Sequence, residues 1–302
     1  MFCKYRLYKW LCKTVYRLSH SPAYKHNKNL WPFFKVNRNV SGRIDTIFYN
    51  KSKIDNISHL ESSKKERPLL IMATGPSISS IDQRFFDDGF DYIGVNGAIS
   101  MESIRYSWYA IIDRDFVIQQ IDFVKDIVSR NGLILFCTYA TLECIFSSVP
   151  EYDIRCKFHV FESAANSKIY KFLQATVVIK PDDERFHWHH GFGFSDNISQ
   201  ALFDSGTVAF TALQIGCALG YKKIYIAGLD MNNFSTPRFY ETAQNRLDTR
   251  LDKDFDRIIQ SFFAARAYCD EHNIEVINLS PESAVEAFPK MRWDSVKPAV
   301  EV

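Results

Sequence analysis

An α/β fold around a largely parallel sheet is what this sequence predicts, and three observations predict it. From residue 69 onward, short apolar β-like runs alternate with segments of helical spacing. Two stretches, 69–97 and 204–230, each set a strand beside a small-residue turn and a helix pattern, as in the units of a doubly wound sheet. The chain has 302 residues, 46% hydrophobic and 24% charged, which suffices to bury the core of one large domain with an appendage. Internal repeats and low-complexity tracts are absent.

In chain order, residues 1–43 hold ten Lys and Arg, from Lys4 to Arg43, and no Asp or Glu. Aromatic residues such as Tyr8, Trp10, Trp31 and Phe33 are interleaved with them, and Pro22 and Pro32 interrupt any long helix. This composition suits an anionic membrane surface, where cations meet headgroups and Trp and Tyr settle at the interface. The plainer reading is an arm packed on the domain with its charges in water. Residues 44–66 read as one short strand, 46–49, and a polar connector. The chain therefore divides into a basic aromatic arm and connector, 1–66, and a main domain, 67–302.

The main domain opens with an apolar strand, 69–73, that breaks into Thr74-Gly75-Pro76-Ser77. A second strand, 92–95, ends on Asn96-Gly97, and a helix-like stretch follows near Met101. A third, 108–112, ends in Asp113-Arg114-Asp115, followed by helical spacing over 116–129. A strand at 132–137 and a helix at 139–146 come next, then strands at 158–161 and 176–179. Residues 182–193 form a polar, glycine-punctuated loop containing His187, His189 and His190. The turn Asp204-Ser205-Gly206 leads into a helix, 207–219, stopped by Gly220, and a strand, 223–227, delivers Gly228 and Asp230. Residues 231–250 are loop-like, 252–272 form a long amphipathic helix, and 274–278 a closing strand.

Composition excludes several function classes. The seven cysteines have no CxxC and no regular spacing, which argues for a reducing cytosol and against a disulfide framework or a zinc site. No run of 18 apolar residues exists to span a bilayer. A net charge of +2 is too small to argue for nucleic acid. The first loop lacks GxGxxG, which argues against a dinucleotide cofactor.

In open α/β sheets the C-terminal ends of the strands carry the ligand, and here those ends deliver Thr74, Gly75, Pro76, Ser77, Asn96, Asp113 and Asp230. Free N–H groups at the loop–helix junctions suit a phosphate or ribose, so the combination suggests a nucleotide or nucleotide-sugar site. Each residue alone has a plainer use: a tight turn at Thr74–Ser77, a turn former at Asn96, a cap at Asp230. Asp113 and Asp115 form a DxD pair able to hold a divalent metal, or equally the cap of the following helix. The three histidines offer a general base or metal ligands, although no partner ligands are identifiable.

The segments 69–82, Val95-Asn96-Gly97 and above all Ser205-Gly206 with Ala218-Leu219-Gly220-Tyr221 through Gly228-Leu229-Asp230 resemble the bacterial CMP-sialic-acid-dependent sialyltransferases. Leu279-Ser280-Pro281-Glu282-Ser283 resembles the closing Pro-containing loop of that family. Closer still in overall character are the lipopolysaccharide-core transferases that add a third Kdo residue, with their Val-Asn-Gly-Ala turn. The resemblance covers about residues 68–285, with 205–230 its most specific block. It implies a Rossmann-like, GT-A-like glycosyltransferase domain in which Gly75, Pro76, Ser77, Asn96, Asp113, Ser205 and Gly206 line a CMP pocket, with Asp230 ending the strand beneath it. Sialyltransferases of this type carry an Arg three residues before the matched serine, where this chain has Leu202, and an Asn where Asp113 stands. They also carry a Tyr at the position of Asn232 and a catalytic His before the last long helix, absent here around Leu251. These departures favour the Kdo-type relative over a sialyltransferase.

The resemblance implies an inverting transfer of Kdo from CMP-Kdo to the lipopolysaccharide inner core. The leaving group is a nucleoside monophosphate, so no cofactor is required. The implied partners are a CMP-sugar donor, a lipid-linked oligosaccharide acceptor and an anionic membrane surface, with the chain peripheral on the inner membrane face. The expected base is a carboxylate, Asp204 or Asp230, with His187, His189 or His190 in reserve. Two alternatives stay open: a sialyl or other CMP-nonulosonate transferase, and a non-catalytic nucleotide-binding protein of the membrane surface.

Overall fold

The computed structural model describes residues 2–296 other than 61, 63, 64, 88 and 233, with the backbone alone at 2–6. Helix α1 (Phe2–Ser19) stops before Pro22 and leads to an antiparallel sheet of β1 (Phe34–Arg38), β2 (Ile44–Tyr49) and β3 (Ser52–Lys53). Seven parallel strands then form the main sheet. Five come first: β4 (Leu69–Met72), β5 (Asp91–Val95), β6 (Trp108–Ile111), β7 (Ile134–Thr138) and β8 (Lys157–Phe161). Between them lie α2 (Arg114–Gln119), α3 (Ile121–Ser129) and α4 (Tyr139–Ser148).

A smaller sheet comprises β9 (Ser163–Ala165), β10 (Lys168–Tyr170), β11 (Val177–Val178) and β14 (Leu202–Phe203). The separate hairpin of β12 (His187–His189) and β13 (Phe192–Phe194) precedes β14 in the chain. Helix α5 (Val208–Ala218) returns the chain to the main sheet as β15 (Lys223–Ala227), and α6 (Phe255–Glu271) connects it to β16 (Glu275–Asn278).

The strand order is β16-β15-β4-β5-β6-β7-β8. The chain first winds outward from β4 to β8 and then restarts at β15 on the other side of β4. The order therefore reverses between β4 and β15, and the crevice beyond their C-terminal ends is where ligands sit in such sheets.

Alternation along the strands divides the core in two. Leu70 and Met72 of β4 join a core with Tyr109, Leu135 and Phe158 on one face, while Leu69 and Ile71 join Phe210, Leu213 and Phe262 on the other. All four residues of β4 are buried, as a strand covered on both faces requires. Helix α5 is apolar on every side because it is covered on every side. Its one large polar residue, Gln214, is fully buried and satisfied: Oε1 accepts from Ser195 N and Phe203 N at 3.1 and 3.0 Å, and Nε2 donates to Phe203 O at 2.9 Å.

The first 66 residues share this core: Leu30, Phe34, Ile47 and Tyr49 pack with Phe146 and Phe158. Some of their cations are drawn inward too. Lys9 and Arg114 both pair with the buried Glu143, and Arg38 and Lys171 close on the buried Glu162 at 2.7 and 2.6 Å.

Several local expectations differ from the structure, among them the loop at 182–193, which is the β12–β13 hairpin, and the single strand at 46–49, which is followed by β3. The helical spacing over 116–129 is two helices, because Gln120 leaves helical geometry (φ −121°, ψ 45°). The stretch near Met101 is a single 3₁₀ turn, Asn96–Ser100, pinned by Tyr106 and Tyr109, whose hydroxyls bond to the backbone of Ala98, Asn96 and Ile99. The N-terminal segment ahead of Pro22 is an uninterrupted helix of 18 residues.

His159 on β8 is 4% exposed, and burial pushes its imidazole down to about 4. The unfolded chain therefore binds a proton that the folded one does not as pH falls from the ordinary histidine range toward 4. Stability is full at neutral pH and is lost through that window, by up to about 3 kcal/mol. Urea midpoints at pH 7 and 4.5 should differ accordingly, with the difference reduced in His159→Gln.

Candidate active site

At the reversal point, β4 runs into Ala73-Thr74-Gly75-Pro76 and β15 into Gly228-Leu229-Asp230. The two loops are joined by Ala73 N to Ala227 O and Gly75 N to Gly228 O, both 2.9 Å. Asp230 is nearly buried, and it ties the first loop down: Oδ2 accepts from Ser77 N at 2.9 Å and Oδ1 from Ser77 Oγ at 2.5 Å. Ser77 Oγ in turn meets Ser280 Oγ at 2.9 Å, which brings the loop after β16 into the same network. Gly75 is required by this closeness. A Cβ there would lie 2.4 Å from Asp230 Oδ2 and 2.6 Å from the Gly228 carbonyl oxygen.

A cavity of about 90 Å³ opens over these loops. Thr74, Gly75 and Pro76 line it on one side and Gly228, Leu229 and Asp230 on the other. The first turn of α5 forms a third wall through Thr207, Val208 and Ala209. Thr207 makes no side-chain capping bond to that turn, so the helix end that lines the cavity keeps backbone N–H groups unclaimed by its cap residue.

The roof is the long segment between β15 and α6, including Phe234, Arg238, Glu241, Arg246 and Leu251. Its keystone is Glu241, whose side chain is 1% exposed. That carboxylate accepts from Arg238 Nη1 at 2.6 Å, Arg238 N at 3.0 Å and Leu247 N at 3.3 Å.

Beside the cavity, the Tyr240 ring lies flat on Gly97, where a Cβ would come within 2.3 Å of it. Burial pushes the Tyr240 hydroxyl up to about 12, with the Arg238 charge pulling the other way. The Tyr240 hydroxyl and Asn96 Oδ1 are both buried without a hydrogen-bond partner among the described residues. Buried polar groups of this kind ordinarily have partners, and neither Asn96 nor Tyr240 is among the residues that line the cavity.

The residues singled out from the sequence fall into three groups. Thr74, Gly75, Pro76 and Asp230 line the cavity, and Ser77 is held against Asp230. Asn96 and Asp113 stand just past the ends of neighbouring strands and Ser205 and Gly206 precede α5, and none of the four is among the residues lining the cavity. Asp113 is the cap of α2, accepting from Asp115 N at 2.8 Å, and no group of three or more metal-ligating side chains occurs among the described residues. Asp204 is exposed, and its Oδ1 accepts from Gly206 N at 2.9 Å in a turn outside the cavity lining.

The histidines lie elsewhere. His187 packs on Tyr268 at 4.5 Å between ring centroids and approaches Asp196 at 3.6 Å, near the C-terminal end of α6. That end leads directly into β16 at the edge of the sheet opposite the strand C-termini. His189 and His190 continue the same hairpin.

Arg238, Tyr240, Glu241 and Arg246 were not singled out from the sequence. A long irregular segment between two strong elements was their only signal.

Residues 169–289 match the family model described as 3-deoxy-D-manno-octulosonic acid transferase WaaZ. A probable 3-deoxy-manno-octulosonic acid transferase of Salmonella typhimurium is 34% identical over 93 residues, covering 31% of this chain and 34% of that protein. One of the same description from Escherichia coli K12 is 32% identical over 93 residues, covering 31% of this chain and 32% of that protein. The chain's matched region thus spans about a third of the length of these curated relatives. No solved structure matches the chain. The family match takes in α5, β15, α6 and the roof of the cavity, and over these residues the chain is similar to the WaaZ family of 3-deoxy-D-manno-octulosonic acid transferases.

Proposed function

We propose that this chain is a CMP-sugar-dependent glycosyltransferase of GT-A-like type that transfers Kdo from CMP-Kdo to the lipopolysaccharide inner core, with inversion. The observation that carries the proposal is the cavity at the strand-order reversal, where the uncapped N-terminus of α5 meets the Gly75 loop within reach of Asp230. The similarity over residues 169–289 supplies the sugar.

In this reading the α5 N–H groups hold the phosphate and stabilise it as it leaves. Asn96 Oδ1 and the Tyr240 hydroxyl take hydrogen-bonding groups of the nucleoside, alongside Asp113, Ser205 and Gly206. Asp230 accepts the proton of the acceptor hydroxyl. Its oxygens receive two bonds from Ser77, and a carboxylate offers about four lone-pair positions, so acceptor capacity remains.

The cavity is smaller than the roughly 300 Å³ at which small-molecule sites begin. The donor therefore enters as the roof around Arg238 and Arg246 lifts, and the roof closes over it to exclude water. The lipid-linked acceptor places the chain peripherally on the inner membrane face.

Calorimetry with CMP, UDP and NADH, followed by a transfer assay with CMP-Kdo generated in place, tests the proposal. Selective CMP binding and transfer to a Kdo-containing acceptor are expected. Preference for UDP, or absence of nucleotide binding, would overturn it. CMP binding without turnover of CMP-Kdo or CMP-sialic acid would instead make the chain a non-catalytic nucleotide-binding protein.

A further inference from the structure

Helix α1 presents an apolar face to solvent. Cys12 and Tyr16 turn inward and are 7% and 3% exposed, fixing the helix on the domain. At 100° per residue, Leu7, Leu11 and Leu18 fall within about 40° of one another and about 140° from that buried side. They are 58%, 47% and 84% exposed. Val15 extends the stripe, and Trp10 and Tyr8 flank it, each at least half exposed. A surface helix of a water-soluble domain places its polar residues at this position. Here a folded, anchored helix carries its apolar residues there instead.

Tyr8 continues the surface sideways. It packs edge-on against Phe33 at 6.0 Å and forms one wall of a groove of about 570 Å³ that also holds Pro32 and Phe48. Lys35 and Lys51 are exposed at the rim of that groove, and Lys35 Nζ lies 6.0 Å from the Phe48 ring centroid. Arg17 and Lys25 are exposed on and just beyond the helix. Residues 1–44 contain no Asp or Glu.

We infer that α1 lies in the plane of an anionic phospholipid bilayer, with Leu7, Leu11, Val15 and Leu18 immersed and Trp10 and Tyr8 at headgroup level. Arg17, Lys25, Lys35 and Lys51 meet the lipid phosphates. The occupant is a bilayer rather than an acidic protein because the stripe is broad and aliphatic, the aromatic residues sit at its margins, and the cations surround it. That arrangement follows the layering of an interface from acyl chains to headgroups. No helix among the described residues is long and apolar enough to cross a membrane, so this contact is in-plane. The inference deepens the membrane placement proposed above, but it is carried by the surface of α1 and does not depend on which sugar is transferred.

The test uses the full chain and vesicles of phosphatidylcholine, alone or with about a quarter phosphatidylglycerol. Flotation should carry the wild type with the anionic vesicles, with a blue shift of tryptophan fluorescence that is lost in Trp10→Ser. The double variant Leu11→Ser and Leu18→Ser alters only exposed side chains, so its circular dichroism and CMP affinity should be unchanged. Its vesicle binding should weaken at least about tenfold. Arg17→Gln with Lys25→Gln should weaken binding to anionic vesicles alone. Absence of wild-type binding, or equal binding by the Leu11 and Leu18 variant, would overturn the inference. So would a wild-type dimer that the variant dissociates, with no vesicle binding, because the face would then belong to a second copy of the chain.

Discussion

Asp230→Asn is expected to lower turnover by about 10²- to 10⁴-fold while CMP affinity changes by less than about threefold. The substitution keeps the shape of the side chain. Its amide oxygen can still accept from Ser77 N, and its amide nitrogen can donate to Ser77 Oγ, whose proton then turns to Ser280. The loop therefore stays in place at a cost of about 1–2 kcal/mol for the altered charged bonds. The amide cannot take a proton from an acceptor hydroxyl. Asp204→Asn is the matched control: its carboxylate sits outside the cavity lining, occupied by Gly206 N, and its replacement should change turnover by less than about threefold. A loss below tenfold in Asp230→Asn would make Asp230 a strut and move the search for the base to the roof, where Glu241 is the other carboxylate of the cavity.

Much of this arrangement is legible in the sequence, and the parts that are not share a cause. The strands of the main sheet are readable because a strand buried on both faces has to be an apolar run, and Leu69 to Met72 or Lys223 to Ala227 have few other uses. Once strands are known, their C-terminal ends give Gly75, Asn96 and Asp230 without further information. The roof follows no such rule. Arg238, Tyr240, Glu241 and Arg246 are set by long-range contacts of an irregular segment, such as the Tyr240 ring on Gly97, and no periodicity announces these.

The histidine-rich stretch shows the converse. Three histidines within four residues suggest chemistry, yet the hairpin that carries them packs on α6 at the far edge of the sheet. Side-chain type is visible in a sequence, whereas the direction in which a hairpin folds back is not. In α1, the spacing of Leu7, Leu11 and Leu18 is plain in the sequence, but only the fold shows that Cys12 and Tyr16 take the inner side and leave those leucines outside.

Gly75→Ala is expected to reduce turnover by at least about 100-fold, with CMP binding weakened in parallel. The clash cannot be relieved by a flexible side chain. One of the atoms met is the Gly228 carbonyl oxygen, which holds Gly75 N at 2.9 Å, and the other is the carboxylate oxygen that holds Ser77 N. Moving either atom breaks the bond that joins the two loops at the strand-order reversal, so a methyl group separates the Gly75 wall of the cavity from the Asp230 wall. Overpacking of this kind costs about 1–3 kcal/mol, within what a core of this size tolerates, so the variant should still fold. The fault then appears as displacement of the cavity walls rather than as loss of protein. The discriminating comparison is with Asp230→Asn, which should lose turnover and keep CMP, whereas Gly75→Ala should lose both. Near-normal CMP binding in Gly75→Ala would place the nucleotide away from this loop and overturn the assignment of the site.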